Sequence, residues 1–489
     1  MAKEEYLESA ASRLFFFEIR KELPDIINFS DIKDQWSLYR DRMIKHISTP
    51  HVAPAKVEIV EHPKNPISVR PLARFDIKDR LTYETLALEA SHAVDQLVPS
   101  DVFSYRLKRS QIHSVGDWLA MRKRARKLLL SDSTLMMART DISAFYENID
   151  INILNLDLIQ AGVDPPLVEQ IHSFLEGFQN QSEAWGLPQG SSASGVLANI
   201  YLLPFDEYIR QSGIKHVRYS DDTYLFGSDW ESLRSSLAGA NQALRARRLT
   251  PSAQKTEILN RDKSIKYLDD QNRNMIAYFH SLGKPQAKEL LSKLFRDATS
   301  EKPPYERDVK FSLTRFRKIQ DATAASWALD NLKELHHISD QILRYIEALP
   351  GYRKNLISTL EAVVSDFSLL HYPFLERNIL HCALRQDMRS KILKDSAWKV
   401  LRDRNRSNYP REFAARYIGR NSDVADGPLL KMQYESEHSD AIKRALLIAM
   451  HECGYVSNSL LRGLERTPDS ELNWTARYLL NVSDIPLPV

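Results

Sequence analysis

The 489-residue chain predicts an α+β fold whose C-terminal half is all helical, and three observations carry that reading. Between about 135 and 270, short β-type runs such as LMMARTDI and HVRYSDDTYLFG alternate with helical stretches. After about 285, apolar residues recur at three-to-four spacing and no strand signal of comparable strength appears. Residues 218–227, RYSDDTYLFG, set Asp221 and Asp222 between segments suited to a sheet. Val217 and Tyr219 would share one face, Thr223 and Leu225 a face on the return, with Tyr224 and Phe226 opposite, so the stretch predicts a tight hairpin with acids at its tip.

Taken in order, residues 1–60 read as a polar helical segment with aromatic anchors at Phe15, Phe16, Phe17, Trp36 and Tyr39. Residues 61–280 follow as the α+β part. EHPKNPISVRPLARFDIKDRLTYETLALEA has three prolines before Leu72 and predicts short strands and loops that pass near Asp79 into a helix. In MMARTDISAFYENID a β-type run ends at Asp141, beside Phe145 and Tyr146. In WGLPQGSSASGVLANIYLLPFDEYI, Gly186, Pro188 and Gly190 predict an irregular loop, and Ser191 or Ser194 can cap a helix with Val196, Leu197, Ile200 and Tyr201 on its apolar side. LTPSAQKTEIL places Lys255 and Thr256 before a short apolar run.

Residues 285–489 predict helices. One stripe runs Leu332, Leu335, Ile338, Ile342, Tyr345, Ile346, Leu349 and stops at Pro350-Gly351; a second runs Leu356, Leu360, Val363, Val364, Phe367; a third, Ala441 to His451, is closed by Gly454. Stacked helical hairpins fit, without a fixed-period repeat.

Composition, at 43% hydrophobic and 27% charged, is that of a soluble globular chain, and no apolar run is long enough to span a bilayer. The N-terminus has acids before its short apolar patch and reads as a helix rather than a signal peptide. Only Cys382 and Cys453 are present, with no metal-ligand spacing, which excludes a disulfide framework and a structural zinc and fits a reducing cytoplasm. Fourteen histidines, His336-His337 and His451 among them, form no acid-base or metal arrangement. A net charge of +3 names no partner. RKRARK at 122–127, and Arg377 to Arg406 with nine Lys/Arg against three Asp, read as solvated helix faces, or as phosphate contacts if a polynucleotide is handled.

Phosphoryl transfer to a nucleotide uses two divalent cations about 3.5–4 Å apart, one activating the attacking hydroxyl and one holding the leaving pyrophosphate. Magnesium takes hard oxygen ligands, so carboxylates must come from separate segments that meet in the fold. Asp141 with Asp221 and Asp222 are such a supply. Lys255 can neutralise the departing pyrophosphate, Tyr146 can stack under the sugar and exclude a 2′-hydroxyl, and the loop around Gln189 lets backbone approach a base. Arg70 and Arg80 can clamp phosphates.

These segments resemble the ordered motifs of reverse transcriptases. VRPLARFDIKDRLTYETLAL resembles the fingers signature, TDISAFYENI the first palm motif, LPQGSSASGVLANIYL the second, YSDD the catalytic third and LTPSAQKTEIL the fourth. The resemblance covers roughly residues 61–260 and implies right-hand-type fingers and palm, Mg²⁺ or Mn²⁺ on Asp141, Asp221 and Asp222, Lys255 on the pyrophosphate side, Tyr146 as sugar gate, Gln189 by the template or base, and Arg70 at the triphosphate. Two departures stand out: the second motif usually has prolines where this chain has Ser192 and Gly195, and the primer-grip motif is at best Tyr267-Leu268-Asp269. No ribonuclease H acid set, zinc-bearing tail or thumb follows.

A palm followed directly by a long helical half is similar to the abortive-infection (Abi) reverse transcriptases of bacteria, of the P2-prophage kind. That resemblance implies a HEAT-like C-terminal array, homo-oligomers, a cytoplasmic bacterial protein with no membrane partner, and an antiphage role. It also implies single-stranded DNA built from dNTPs without a template and attached to a protein tyrosine. No motif places that tyrosine; Tyr6, Tyr39, Tyr83 and Tyr105 all lie upstream of the palm and read as core or surface aromatics. Two rival functions fit the same residues: a template-copying enzyme of a retron, intron or diversity-generating element, and a non-catalytic scaffold with a polymerase fold.

Overall fold

The computed structural model describes residues 2–16, 23–106, 115–181, 183–366, 372–467 and 470–488; Phe17 and Phe367, two apolar positions singled out above, lie outside them. The chain divides into two compact units that are not contiguous in sequence. One takes in 1–17, 40–59 and 72–271, the other 18–39, 60–71 and 272–489.

Six strands are present among the described residues. β1 (Val57–Pro63) and β2 (Val69–Phe75) pair with each other; β3 (Met136–Thr140), β4 (Lys215–Tyr219), β5 (Asp222–Gly227) and β6 (Glu257–Leu259) form one sheet in the order β4-β5-β3-β6. All its neighbours run antiparallel. Pairing follows from the alternation read in the sequence. Ala138 lies across from Leu225, and both join a core with Leu197, Leu233 and Leu244. On the other face Met137 pairs with Phe226 and Val217 with Tyr224, packed against Met121, Ala125 and Leu129 of helix Val115–Ser131. Each such apolar side chain removed from water contributes roughly 1.5–3 kcal/mol. A sheet buried on both faces has no reason to alternate with polar residues, and β5 is buried from Thr223 to Gly227, with Tyr224, Leu225 and Phe226 in succession.

The second unit is a row of helices. Glu306–Lys318 packs on Ser339–Glu347, that on Pro373–Arg385, then Asn408–Arg420, Asp440–Glu452 and Leu472–Asn481. Their starts at 306, 339, 373, 408, 440 and 472 lie 32 to 35 residues apart, a spacing that no repeated motif announces. Arg353–Ser365 packs on Lys391–Arg402 in a second row. The shared core runs from Ile26 and Ile27 through Leu313, Ile342, Leu380, Phe413 and Ile448.

Of the nine basic residues from Arg377 to Arg406, Arg389, Lys391, Lys399, Arg402 and Arg404 are exposed, as a solvated face requires, and the other four turn inward to partners. Arg377 is 3% exposed and lies 4.9 Å from the Tyr409 ring, with Phe374 and Phe413 close by. Arg385 bonds Glu347, Arg406 bonds Glu376, and Lys394 bonds Asp426. Elsewhere in the unit Arg444 holds both Asp25 and Asp31, and Arg411 holds Glu437. Cys382 and Cys453 are buried and unbridged. Among the described residues, no helix is long and apolar enough to cross a membrane.

Candidate active site

The site is built on the sheet of the first unit. β3 pairs with β5 through Arg139 to Tyr224 and Thr140 to Thr223, so the same antiparallel register carried one residue further sets Asp141 across from Asp222. β4 and β5 close at Tyr219 to Asp222, leaving Ser220 and Asp221 as a two-residue turn. Ser220 has φ +57°, the left-handed backbone such a turn needs. The three acids therefore gather at one end of the sheet although eighty residues separate Asp141 from Asp221. Asp141 is 6% exposed; the other two are half-buried.

Lys255 completes the cluster. The Ser252 amide donates to the Asp141 carbonyl at 2.7 Å, Ser143 N donates to the Thr250 carbonyl, and Thr140 and Thr256 share a hydroxyl contact at 2.8 Å. These bonds lash the LTPSAQKTEIL segment to the end of β3, and Lys255 Nζ donates to Asp141 Oδ2 at 2.7 Å. Burial, then the neighbouring Asp141 and Asp222 carboxylates, push Asp221 up to about 7. Burial and Asp141 also raise Asp222, while Lys255, Arg139 and Arg122 pull the other way. Burial works against the Lys255 ammonium, but its bond to Asp141 and the charges of all three acids outweigh that and raise it.

Tyr146 enters from the turn after Asp141, where Ala144 has φ +44°. Its hydroxyl lies 3.3 Å from Ser220 Oγ and 3.4 Å from the Tyr105 hydroxyl. Its carbonyl accepts from Leu187 N at 2.8 Å, which ties it to the LPQGS loop. Gly186, φ +64°, is required there, since a Cβ would sit 2.2 Å from the Tyr146 carbonyl oxygen.

The loop is held from helix Ile77–Val94. Ser191 is the helix cap, its Oγ accepting from Ala193 N, and it also donates to Glu84 at 2.6 Å. Ser194 does not cap; its hydroxyl donates to the Pro188 carbonyl and meets the Tyr83 hydroxyl. Gln189 is half-buried, its carbonyl accepting from Ala73 N. Arg80 donates to the Gly190 carbonyl at 3.1 Å and pairs with Glu84 at 3.3 Å, so its guanidinium braces the loop from within. Arg70 is exposed on β2 and falls in the second unit.

Two sets of residues escaped the sequence reading. Arg218 is fully buried and pairs with equally buried Asp206 at 2.6 Å; it also donates to the Ser220 carbonyl and to Asn199. Ser220 N donates to Ser104 Oγ, and Asn199 donates to the Ser104 carbonyl. The acid-bearing turn is thus suspended from a buried ion pair and from Ser104. A charge between Val217 and Tyr219 in an apolar strand is the signal that could have revealed Arg218. Tyr105 gave none: read as an ordinary aromatic, it stands beside Tyr146 instead.

Among the described residues no three His, Cys, Asp or Glu side chains stand as a ready-made metal ligand set. The donor set nevertheless suits a hard cation. Three carboxylates face a single ammonium, and two of them are held above their ordinary range, the state a divalent ion would relieve.

Residues 62–269 match the family model described as Reverse transcriptase (RNA-dependent DNA polymerase). No curated protein matches the chain. Among solved structures it is similar to apo telomerase from Candida tropicalis truncated from its C-terminal domain, at 14% identity and TM-score 0.31, covering 46% of this chain and 55% of that one. Telomerase from Candida albicans with a fragment of telomeric RNA is similar at 12% identity and TM-score 0.32, over 76% of this chain and 70% of that one. Apo telomerase from Candida tropicalis gives 12% identity and TM-score 0.35, over 78% and 74%. The chain spans just over half the length of the first of these, and at such scores nothing about its substrates follows from them.

Proposed function

With residues 62–269 a reverse transcriptase domain, and so a nucleotidyltransferase of the RNA-directed DNA polymerase type, we propose that the chain adds dNTPs to a growing DNA strand at the Asp141, Asp221 and Asp222 cluster. The observation that carries this reading is the register that sets Asp141 across from Asp222, one residue from Asp221. The three carboxylates would hold Mg²⁺ or Mn²⁺, which when bound supplies activation of the attacking hydroxyl and neutralisation of the pyrophosphate. Lys255 keeps a proton beside Asp141 for the departing pyrophosphate. Tyr146, fixed at backbone and hydroxyl, excludes a 2′-hydroxyl by volume. Gln189 lines the base side, on a loop that Arg80 steadies.

The reading extends to protein-primed, template-independent synthesis by a cytoplasmic homo-oligomer in antiphage defence. The passage from sheet to a row of helices, with no strand after β6 among the described residues, supports it. The matched family's description favours a second reading, RNA-templated copying. Purified protein given labelled dNTPs and Mg²⁺ without primer or template separates them. Label that stays on the protein through denaturation is the expected result. Incorporation only when RNA template and primer are added selects the second reading. Incorporation that survives Asp221→Asn with Asp222→Asn removes both.

A further inference from the structure

Three non-glycine residues with left-handed backbone converge on this one site: Tyr105 (φ +51°), Ala144 and Ser220. Such conformations persist where surrounding bonds over-determine them, and around Tyr105 those bonds are visible. Ser104 accepts from Ser220 N on one side. On the other, Arg106 bonds the Asp95 side chain and the carbonyls of Asp95, Val98 and Pro99, at 2.7–3.0 Å. The segment also pairs with β4 through Val102 and Arg218. Clamped at both neighbours, Tyr105 lays its ring where position 195 has no side chain: a Cβ on Gly195 would fall 2.2–2.3 Å from three ring atoms. From there its hydroxyl reaches the tip of Tyr146.

Tyr146 is thereby bracketed, with Leu187 at its carbonyl and Ser220 and Tyr105 at its hydroxyl. A steric gate discriminates only as far as it refuses to move, because a ring that can swing aside admits the larger substrate at little cost. We infer that Tyr105 is a specificity-determining positioning residue, the stop that keeps the Tyr146 ring from yielding to a 2′-hydroxyl on the incoming nucleotide. The inference rests on the reading of Tyr146 as the face that meets the sugar. Gly195, where a larger residue would evict Tyr105, belongs to the same device.

The test is the ratio of kcat/KM for a dNTP to that for the matching ribonucleotide, measured on the full chain with Mg²⁺. General damage lowers both constants alike and leaves the ratio unmoved. Tyr105→Ala should lower the ratio about tenfold or more, the range set by one missing steric contact. Tyr105→Phe, which keeps the ring but removes the hydroxyl at the tip of Tyr146, should fall between wild type and Tyr105→Ala. Gly195→Ala should act like Tyr105→Ala, with Tm recorded to confirm folding. An unchanged ratio in Tyr105→Ala, or a loss in Tyr105→Phe as large as in Tyr105→Ala, overturns the inference. Tyr146→Ala separates the two levels. If it collapses the ratio while Tyr105→Ala does not, the gate stands and only the stop is refuted; if it too changes nothing, gate and stop fall together.

Discussion

Asp221 in the sheet and Glu376 in the helical unit are both carboxylates held near 7, and their neighbours make them opposite cases. Burial is the largest cause for each. Beyond burial, Glu376 has Arg406 bonded to it and pulling it down against a smaller push from Asp403, whereas Asp221 has Asp141 and Asp222 pushing it up further, opposed by a backbone hydrogen bond and by Lys255. In the helical unit Glu376, Glu437 and Glu347 each have an arginine, and Asp25 and Asp31 share Arg444. The sheet sets three acids against one lysine. The same shift thus has two meanings, a completed ion pair in one place and an unmet charge requirement in the other, and only the second invites a cation.

The difference breaks most sharply on activity. Asp141→Asn should reduce nucleotide incorporation by about 10³-fold, the loss typical of removing one preorganised electrostatic group. Glu376→Gln should leave incorporation close to wild type while lowering Tm. Equal losses of activity from both, in steady-state assays of dNTP addition, would end the contrast. The next effect in size falls on Arg218. Arg218→Ala strands Asp206 in a fully buried position, so denaturant unfolding should show a loss of roughly 3–5 kcal/mol. Because Arg218 also bonds the Ser220 carbonyl, incorporation should drop even at temperatures where the variant stays folded.

What could be read from the sequence was what local pattern decides. The acid-tipped hairpin follows from alternation along β4 and β5, and a serine cap, at Ser191 or Ser194, from its place before an apolar helix; the structure uses Ser191. Apart from the meeting of Asp141 with Asp221 and Asp222, which the chemistry and the motif order imply, pairings between distant segments were out of reach. Whether Arg406 faces water depends on Glu376, thirty residues away, and no property of the run from Arg377 to Arg406 states that partner. Gly195, a departure from the usual second motif, leaves the room that the Tyr105 ring occupies. The helical row repeats every 32 to 35 residues without a repeated motif because each helix needs only an apolar stripe, which many sequences satisfy. The two units interleave in the chain, with 18–39 and 60–71 joining the helical one, and composition carries no mark of that.

The smallest expected effect is also the most discriminating, because it reads the two carboxylates in one experiment. Each has a folded-state value raised above its ordinary one, so between the ordinary value and about 7 the folded protein keeps a proton that the unfolded chain has lost. The stability each contributes is therefore complete below the ordinary carboxylate range and is lost as pH rises through about 7. In chelator, Tm should fall between pH 6 and pH 8 by about 2–4 °C. Mg²⁺ added at pH 8 should recover the share belonging to Asp221, since a divalent ion relieves repulsion among Asp141, Asp221 and Asp222 but has no purchase on Glu376 beside Arg406. Asp221→Asn should abolish the Mg²⁺-dependent part and leave the rest, and Glu376→Gln should do the reverse. A Tm that Mg²⁺ raises equally in wild type and in Asp221→Asn would mean that the ion binds elsewhere, and that the two carboxylates do not differ in the way their neighbours imply.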